Sequence, residues 1–213
     1  MNRSIITTAL LFLGFLSMAQ NAGEKTLPSP DKKGGIPLMK ALNERQTTRS
    51  FSNENLSDQQ LSDLLWAAFG INRTDSKKRT APSANNKQEI DIYVFLQEGT
   101  FLYLPETHSL KRINREDLRS LTGSQAFVKN AAVNLVYVAN FERVPNENPD
   151  ESLKWSFANA GHISQNVYLY GASAGLGVVV RGWVDGDLVK SKLQLNEKQY
   201  VLFAQTIGKL TKQ

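Results

Sequence analysis

The feature that most constrains this fold is a long helical pattern between two apolar strand patterns. From residue 148 to 174 apolar side chains recur every three or four positions, and glycines at 175 and 177 end the pattern. The apolar positions are Leu153, Phe157, Ala160, Ile163, Val167 and Tyr170. The valine-rich segment 131–139 before the pattern is typical of a strand at the centre of a sheet. A long helix is therefore expected to cover one face of a sheet.

Shorter patterns complete an α+β prediction. Residues 37–45 are predicted to form a short helix, and a stronger helix follows Ser57, which has capping-box spacing to Gln60 and is expected to end at Gly70. The other expected elements are a half-buried strand at 90–95, its hairpin partner at 101–104, short helices at 114–121 and 124–129, a short helix ending at 193, and strands at 176–180 and 198–207. This order predicts a mixed, mainly antiparallel sheet flanked by helices.

Residues 1–20 have the pattern of a secretory signal peptide. Arg3 precedes an apolar run at 5–15, and Ser17 and Ala19 are small residues suited to cleavage near residue 19 or 20. The run is about half the roughly 20 residues that a spanning helix needs, and an uncleaved amphipathic anchor is the alternative. Residues 21–35 are predicted to be an extended tether, so the domain is expected over 36–213. The protein is expected to be exported, to a bacterial periplasm.

Composition excludes several classes of site. The chain has no cysteine and two histidines, His108 and His162, which excludes thiolate chemistry and does not predict a protein metal site. The net charge of +5 is scattered over short basic runs, so binding to nucleic acid is not predicted. We interpret His162, inside the long helical pattern, as a hydrogen-bonded core or interface residue.

An arginine pair lies just past the first helical segment. Arg45 and Arg49 flank the hydroxyl groups of Thr47 and Thr48. Guanidinium groups match phosphate oxygens bidentately, and a threonine hydroxyl adds another donor. Taken alone, this segment favours a simpler interpretation in which Arg45 complements a helix C-terminus and Arg49 is solvated.

Two further segments carry polar groups or glycines. The loop 79–88 is rich in amides and hydroxyls, which suit the pyrimidine edge of a flavin or a base, although by itself it also fits an ordinary turn before a strand. Glycines also occur in the segments 161–166, 171–177 and 180–182, within and just after the long helical pattern. A dinucleotide fingerprint would follow a strand and has a different glycine spacing, so these segments do not match it.

The arginine segment 45–49, the loop 79–88 and the glycine-containing segments between 161 and 182 occur in this order, and together they resemble the nitroreductase superfamily over about residues 37–209. Within it they resemble the branch that contains the azoline dehydrogenases of peptide-cyclising enzyme sets. The catalytic lysine and tyrosine of those dehydrogenases have no convincing counterpart here. The resemblance implies a nitroreductase-like fold and an intertwined homodimer with FMN at the subunit interface. Ala158 and Gly161 would lie in the packing core between the subunits.

The resemblance also transfers site residues to this sequence. Arg45, Thr47 and Arg49 match the segment that holds the FMN phosphate and ribityl chain, and Lys209 is a candidate to complete the phosphate site. The matches in the loop along the isoalloxazine are Pro82, Ser83, Ala84, Asn86 and Gln88, with Asn86 implied at the pyrimidine edge. The matches at the strand end facing flavin N5 are Val180, Arg181 and Gly182, with the backbone N–H of Arg181 or Gly182 implied as the donor.

The implied function is an FMN-dependent oxidoreductase that transfers hydride through flavin N5 to or from a small organic substrate, with no catalytic side chain. NAD(P)H is the implied donor, and an exported protein would need another, such as a quinol or a redox partner. The alternative from another class is a flavin-free binding or scaffold protein of the envelope. Flavin destruction and dehalogenation are alternatives within the family, for which the loop at 140–151 offers limited room.

Overall fold

The computed structural model describes residues 23–144 and 147–211. The helices are α1 (Leu38–Glu44), α2 (Asp58–Phe69), α3 (Pro149–Ala174) and α4 (Gly186–Leu193). The strands are β1 (Glu24–Thr26), β2 (Ile71–Arg73), β3 (Lys78–Arg79), β4 (Ile90–Leu96), β5 (Gly99–Leu104), β6 (Ser109–Asn114), β7 (Val133–Asn140), β8 (Leu176–Arg181) and β9 (Gln199–Lys209). The predicted signal peptide, residues 1–20, lies outside the described residues. Within the described residues, no helix is both long and apolar enough to cross a membrane.

Seven strands form one sheet in the order β1-β6-β5-β4-β7-β9-β8, and each neighbouring pair is antiparallel. Alternate residues of β7 face opposite sides of this sheet: Leu135 and Tyr137 pack with helices α2 and α3, whereas Val136 and Val138 pack with α4. Both faces of the central strands are therefore covered, and the α+β prediction is confirmed.

Local capping interactions fix the ends of the two larger helices. Ser57 Oγ accepts from the Gln60 N–H at 3.1 Å, and Gln60 Oε1 accepts from the Ser57 N–H at 3.0 Å, which completes the predicted capping box before α2. Asn148 Oδ1 accepts from the N–H groups of Asp150 and Glu151 at the start of α3. Gly175 ends α3 at a φ of 66°, a left-handed conformation that glycine adopts without a side-chain clash.

Two predictions of elements were wrong, and strand β6 was missed. Strand β4 was expected to be half-buried, yet all of its residues are buried, because its two faces contribute to two different core clusters. Strand β6 was not predicted, since its sequence carries Lys111 and Arg112 and no apolar alternation; the Arg112 guanidinium lies 4.6 Å from the centre of the Phe101 ring. The helices expected at 114–121 and 124–129 are short 3₁₀ turns at Arg119–Thr122 and Ala126–Lys129.

The segment predicted as an extended tether joins the sheet in part. Strand β1 pairs with β6, and Leu27 is buried in the main core cluster. Lys25 lies 2.9 Å from carboxylate oxygens of both Asp58 and Glu98. Residues 24–27 therefore belong to the domain, because the partner strand β6 offers an edge that the sequence pattern did not reveal.

The side chain of His108 connects this N-terminal segment to the body of the domain. Its Nε2 lies 2.7 Å from Ser62 Oγ, which donates to the Pro28 carbonyl at 2.6 Å. Its Nδ1 lies 2.9 Å from the hydroxyl of Tyr103. Burial lowers the pKa of His108 below its ordinary value, so the folded protein disfavours the protonated ring.

This depressed pKa predicts a loss of stability in acid. Because the unfolded chain binds the proton more readily, the stabilising contribution is fully present above the unfolded pKa of about 6.5 and is lost as the pH falls through the folded pKa. We expect the free energy of unfolding, measured by urea denaturation at a series of pH values, to depend less on pH in His108→Asn. Asparagine suits the site because residue 108 has a φ of 48°. An equally steep pH dependence in the variant would contradict the assignment.

Candidate functional site

Tyr168 joins two of the segments that the sequence singled out. Residues 45–49 run along the outer edge of β8, the last strand of the sheet, where the Thr48 N–H donates to the Val178 carbonyl at 2.9 Å. The Tyr168 hydroxyl, on α3, accepts from the Val180 N–H at 2.9 Å and lies 3.2 Å from Thr47 Oγ1. One phenol therefore holds the threonine of the first segment against the strand end of the third.

Arg45 lies on the same tyrosine. Its backbone N–H caps α1 by donating to the Ala41 carbonyl at 2.9 Å, and its guanidinium lies 5.5 Å from the centre of the Tyr168 ring. Arg45 and Thr48 line a cavity of about 470 Å³ between the end of α1 and the C-terminal part of α3. Arg49 is exposed on the same segment. The cavity thus has the Arg45 guanidinium and the Thr48 hydroxyl in its lining, two donors of the kind that bind a phosphate group.

The strand end distinguishes between the two candidate backbone donors. The carbonyl of Val178 and the N–H of Val180 both face away from β9, and backbone groups of successive strand residues alternate between the two edges. Arg181, paired with Ala204, therefore directs its N–H toward β9. Strand β8 ends at Arg181, and one further step of the alternation would direct the Gly182 N–H to the outer edge. The geometry favours Gly182 over Arg181 as the donor toward a bound ring.

The loop containing Pro82 to Gln88 is folded upon itself. The Gln88 N–H donates to Ser83 Oγ at 2.9 Å, and Gln88 Nε2 donates to Asn86 Oδ1 at 3.0 Å. Asn86 and Gln88 have φ values of 56° and 51°, which explains the tight turn. Pro82 and Asn86 are exposed, so this loop presents polar groups to the outside of the chain.

Two buried side chains fasten this loop to α3. The Ala84 N–H donates to Asn159 Oδ1 at 3.2 Å. Asn159 Nδ2 in turn donates to Glu89 Oε1 at 2.7 Å, and Ser156 Oγ donates to the same oxygen at 3.2 Å. Glu89 thereby orients the Asn159 amide, so that its oxygen faces the loop.

The loop and the arginine segment lie at different places along α3. Asn159 and Tyr168 are nine positions apart, which is about 13 Å along the helix axis and about two and a half turns. They lie at opposite edges of the buried stripe of α3. Between those edges the helix exposes a face that includes Ala158, Gly161, His162 and Gln165. In a single chain the loop 82–88 and the arginine segment 45–49 are thus two separated half-sites.

Comparison with known proteins identifies the family. The model of the nitroreductase family matches residues 42–209, a span that includes every site residue predicted from the sequence. A protein of Methanocaldococcus jannaschii named as a nitroreductase is 32% identical over 185 residues, covering 82% of this chain and 91% of that protein. This chain belongs to the nitroreductase family. It is therefore an enzyme of the oxidoreductase class.

Solved structures of similar proteins share the fold. The crystal structure of a protein named as a nitroreductase, from Ralstonia eutropha JMP134, has 44% sequence identity and a TM-score of 0.85 over 91% of this chain and 92% of that one. The NADPH:FMN oxidoreductase of Vibrio harveyi, solved with NAD⁺, has 22% identity and a TM-score of 0.61 over 82% of this chain and 69% of that one. The predicted nitroreductase-like fold is confirmed.

Lys209, the candidate to complete the phosphate site, forms an ion pair with a carboxylate. Its Nζ lies 2.9 Å from Glu54 Oε2, and its backbone carbonyl accepts from the Ser52 N–H at 2.9 Å. Lys209 pairs with Leu176 at the start of β8, opposite the strand end at Gly182. The structure thus keeps Lys209 near the arginine segment, with its charge balanced by Glu54.

Three residues of this nitroreductase-family site were missed from the sequence. Tyr168 lies beside the predicted apolar stripe, Asn159 lies next to its member Ala160, and Glu89 follows the predicted loop directly. Asn159 and Tyr168 could have been found as polar residues adjacent to the apolar helical stripe, whereas Glu89 carries no such signal. Within the described residues, no group of three or more histidine, cysteine, aspartate or glutamate side chains could hold a metal ion.

Proposed function

We propose that this nitroreductase-family member binds FMN and transfers two electrons, as hydride, between a donor and a small organic molecule. The observation that carries the proposal is the cluster of Arg45, Thr47 and Val180 around the Tyr168 ring and hydroxyl. Two guanidinium groups would hold the phosphate, and Thr47 would add a hydroxyl donor. When bound, the flavin supplies the hydride chemistry at its N5 atom.

The remaining residues would orient the ring. The Gly182 N–H would donate to N5 from the strand end, a fixed dipole that needs no rearrangement during the reaction. The loop with Pro82, Ser83, Ala84, Asn86 and Gln88 would lie along the isoalloxazine, with Asn86 toward the pyrimidine edge. Glu89 and Asn159 would hold that loop in place through the Ala84 N–H.

A homodimer would unite the two half-sites. In one chain the loop and the arginine segment flank opposite edges of the exposed face of α3, and a Cβ built on Gly161 would meet nothing within 4 Å beyond the neighbouring backbone of its own helix. Trp155 of α3 is also exposed, at 52%. A second copy packed on this face would bury it and bring its loop toward the arginine segment of the first.

The cellular context of the enzyme is also a proposal. Residues 1–20 would direct export to a bacterial periplasm, where a quinol or a redox partner would replace NAD(P)H as the electron donor. The N-terminal residue of the protein isolated from its host, read by mass spectrometry, tests this. A start near residue 20 supports export, and an intact Met1 contradicts it. The azoline dehydrogenase branch is proposed from the motif resemblance alone.

Removing the Tyr168 hydroxyl tests the proposed site. Tyr168→Phe removes the hydrogen bonds that hold Thr47 and the Val180 N–H in place, so the arginine segment and the strand end lose their common anchor. We expect the dissociation constant for FMN, measured by quenching of flavin fluorescence, to rise by about tenfold, which corresponds to about 1.4 kcal/mol of lost binding free energy.

Tyr170→Phe is the matched control for that variant. The Tyr170 hydroxyl donates to the Gln60 carbonyl at 3.2 Å, on the same helix but away from the arginine segment. The control should bind FMN as the unaltered protein does. Equal affinities for all three proteins would remove Tyr168 from the proposed site.

A further inference from the structure

Arg181 carries a buried positive charge whose hydrogen-bond partners are all neutral. Its side chain donates from Nε to Thr206 Oγ1 at 2.9 Å and from Nη2 to Thr122 Oγ1 and Asn134 Oδ1 at 3.2 Å each, and Nη1 donates to the Thr122 carbonyl. The residue is 5% exposed. Burial lowers the pKa of the guanidinium to about 10, which leaves it charged at neutral pH.

The other buried arginines of the described chain have carboxylate partners. Arg119 forms two hydrogen bonds to Asp117, at 2.9 and 2.7 Å, and Arg79 lies 2.7 Å from Glu106. None of the ion pairs found among the described residues includes Arg181. An isolated buried charge costs several kcal/mol, so its retention points to a negative charge nearby in the working enzyme.

A cavity lies on the other side of Gly123 from this guanidinium. It has a volume of about 510 Å³ and is lined by Gly123, Gly182, Trp183 and Asp185, among others. A Cβ on Gly123 would collide with Nη1 of Arg181, so only glycine backbone separates the charge from the cavity there. Gly123 has an extended φ of 169°, which any residue adopts; glycine is required here for space. The same cavity is bounded by Gly182, the proposed donor toward flavin N5.

We propose that the Arg181 guanidinium stabilises the negative charge that reduction adds to the flavin ring, and thereby raises the midpoint potential of the bound cofactor. This inference rests on the proposed function. Hydride transfer from a nicotinamide donor adds two electrons and one proton, so the flavin gains one negative charge while the donor becomes its oxidised form. A fixed cation in a site that excludes water interacts with such a charge far more strongly than it would in water.

The test compares Arg181→Gln with Arg181→Lys in the flavin-loaded protein. Midpoint potentials are measured by spectroelectrochemistry, and dissociation constants are measured for oxidised and reduced FMN. We expect Arg181→Gln to weaken the binding of reduced FMN about tenfold more than that of oxidised FMN, which is about 30 mV for a two-electron couple. Arg181→Lys should retain most of the potential, because it retains the charge.

The double variant Asp117→Asn with Arg119→Gln is the matched control. It removes a buried arginine at the neighbouring 3₁₀ turn together with its carboxylate, so the net charge is unchanged and the potential should be unchanged. A wild-type potential in Arg181→Gln, or an equal fall in Arg181→Lys, overturns the proposal in favour of a purely structural role.

Gly123→Ala provides a second test that does not depend on the folding of Arg181→Gln. The added methyl group displaces the guanidinium and keeps every charge, so the potential should move, and an unchanged potential contradicts the proposal. If the proposed function itself is wrong, the unaltered protein binds no FMN, and this result is obtained before any variant is compared.

Discussion

Replacing Arg45 and Arg49 together with glutamine is expected to raise the dissociation constant for FMN by at least about a hundredfold. Each guanidinium would make charge-assisted hydrogen bonds to the phosphate, worth about 1.5–3 kcal/mol, and 1.4 kcal/mol is a factor of ten. Arg45 lies over the Tyr168 ring, and Arg49 is exposed on the same segment.

Riboflavin makes this experiment specific, because it lacks the phosphate. The unaltered protein should bind FMN much more tightly than riboflavin, whereas the double variant should bind both with similar weak affinity in a fluorescence titration. Lys190→Gln with Lys192→Gln on α4 gives the same change in net charge outside the arginine segment and should bind FMN normally. Retention of FMN selectivity in the arginine variant would place the phosphate elsewhere.

If the proposed homodimer forms on the exposed face of α3, replacing Gly161 with arginine is expected to dissociate it and to abolish FMN binding. A Cβ at Gly161 would meet only the neighbouring backbone of its own helix, so a large side chain there would spare the core of its own chain and project into the proposed interface. Arginine also favours the helix over glycine by close to 1 kcal/mol, so the isolated chain should fold at least as well. Sedimentation velocity would report the molecular mass, and the absorbance spectrum would report the flavin.

Ser191→Arg introduces the same side chain at an exposed position of α4 and serves as the control. It should remain dimeric and yellow. If Gly161→Arg stays dimeric, the exposed face of α3 is not the interface, and the two half-sites of one chain need another explanation.

The sequence predicts those elements of the fold whose causes are local. The Ser57–Gln60 capping box and the glycine at 175 each act within a few residues, and both are found where expected. Strand β6 could not be predicted in this way, because its sequence has no apolar alternation and one of its two partners, β1, lies far away in the chain. The pairing with β1 also brings residues 24–26 into the sheet. Burial of β4 on both faces likewise depends on helices remote in sequence.

The site residues likewise divide into those with a local signal in the sequence and those whose environment depends on distant residues. Arg45, Thr47 and Val180 were identified from their residue types and order, and the structure does bring them together. Tyr168, which joins them, lies off the apolar stripe and carries no motif. The sequence predicted a role only for the backbone N–H of Arg181 or Gly182. The burial of the Arg181 side chain could not be predicted, because it depends on Thr122 and Asn134, which are 59 and 47 positions away in sequence.

The most direct test of the account is the absorbance spectrum, from about 300 to 550 nm, of the protein purified without added cofactor, followed by release and identification of the chromophore. Bound FMN near one per chain is the predicted result, since the arginine segment, the loop and the strand end would together hold one flavin per site. A colourless, folded protein that does not take up added FMN would contradict the central claim and favour a flavin-free binding or scaffold protein on the same fold.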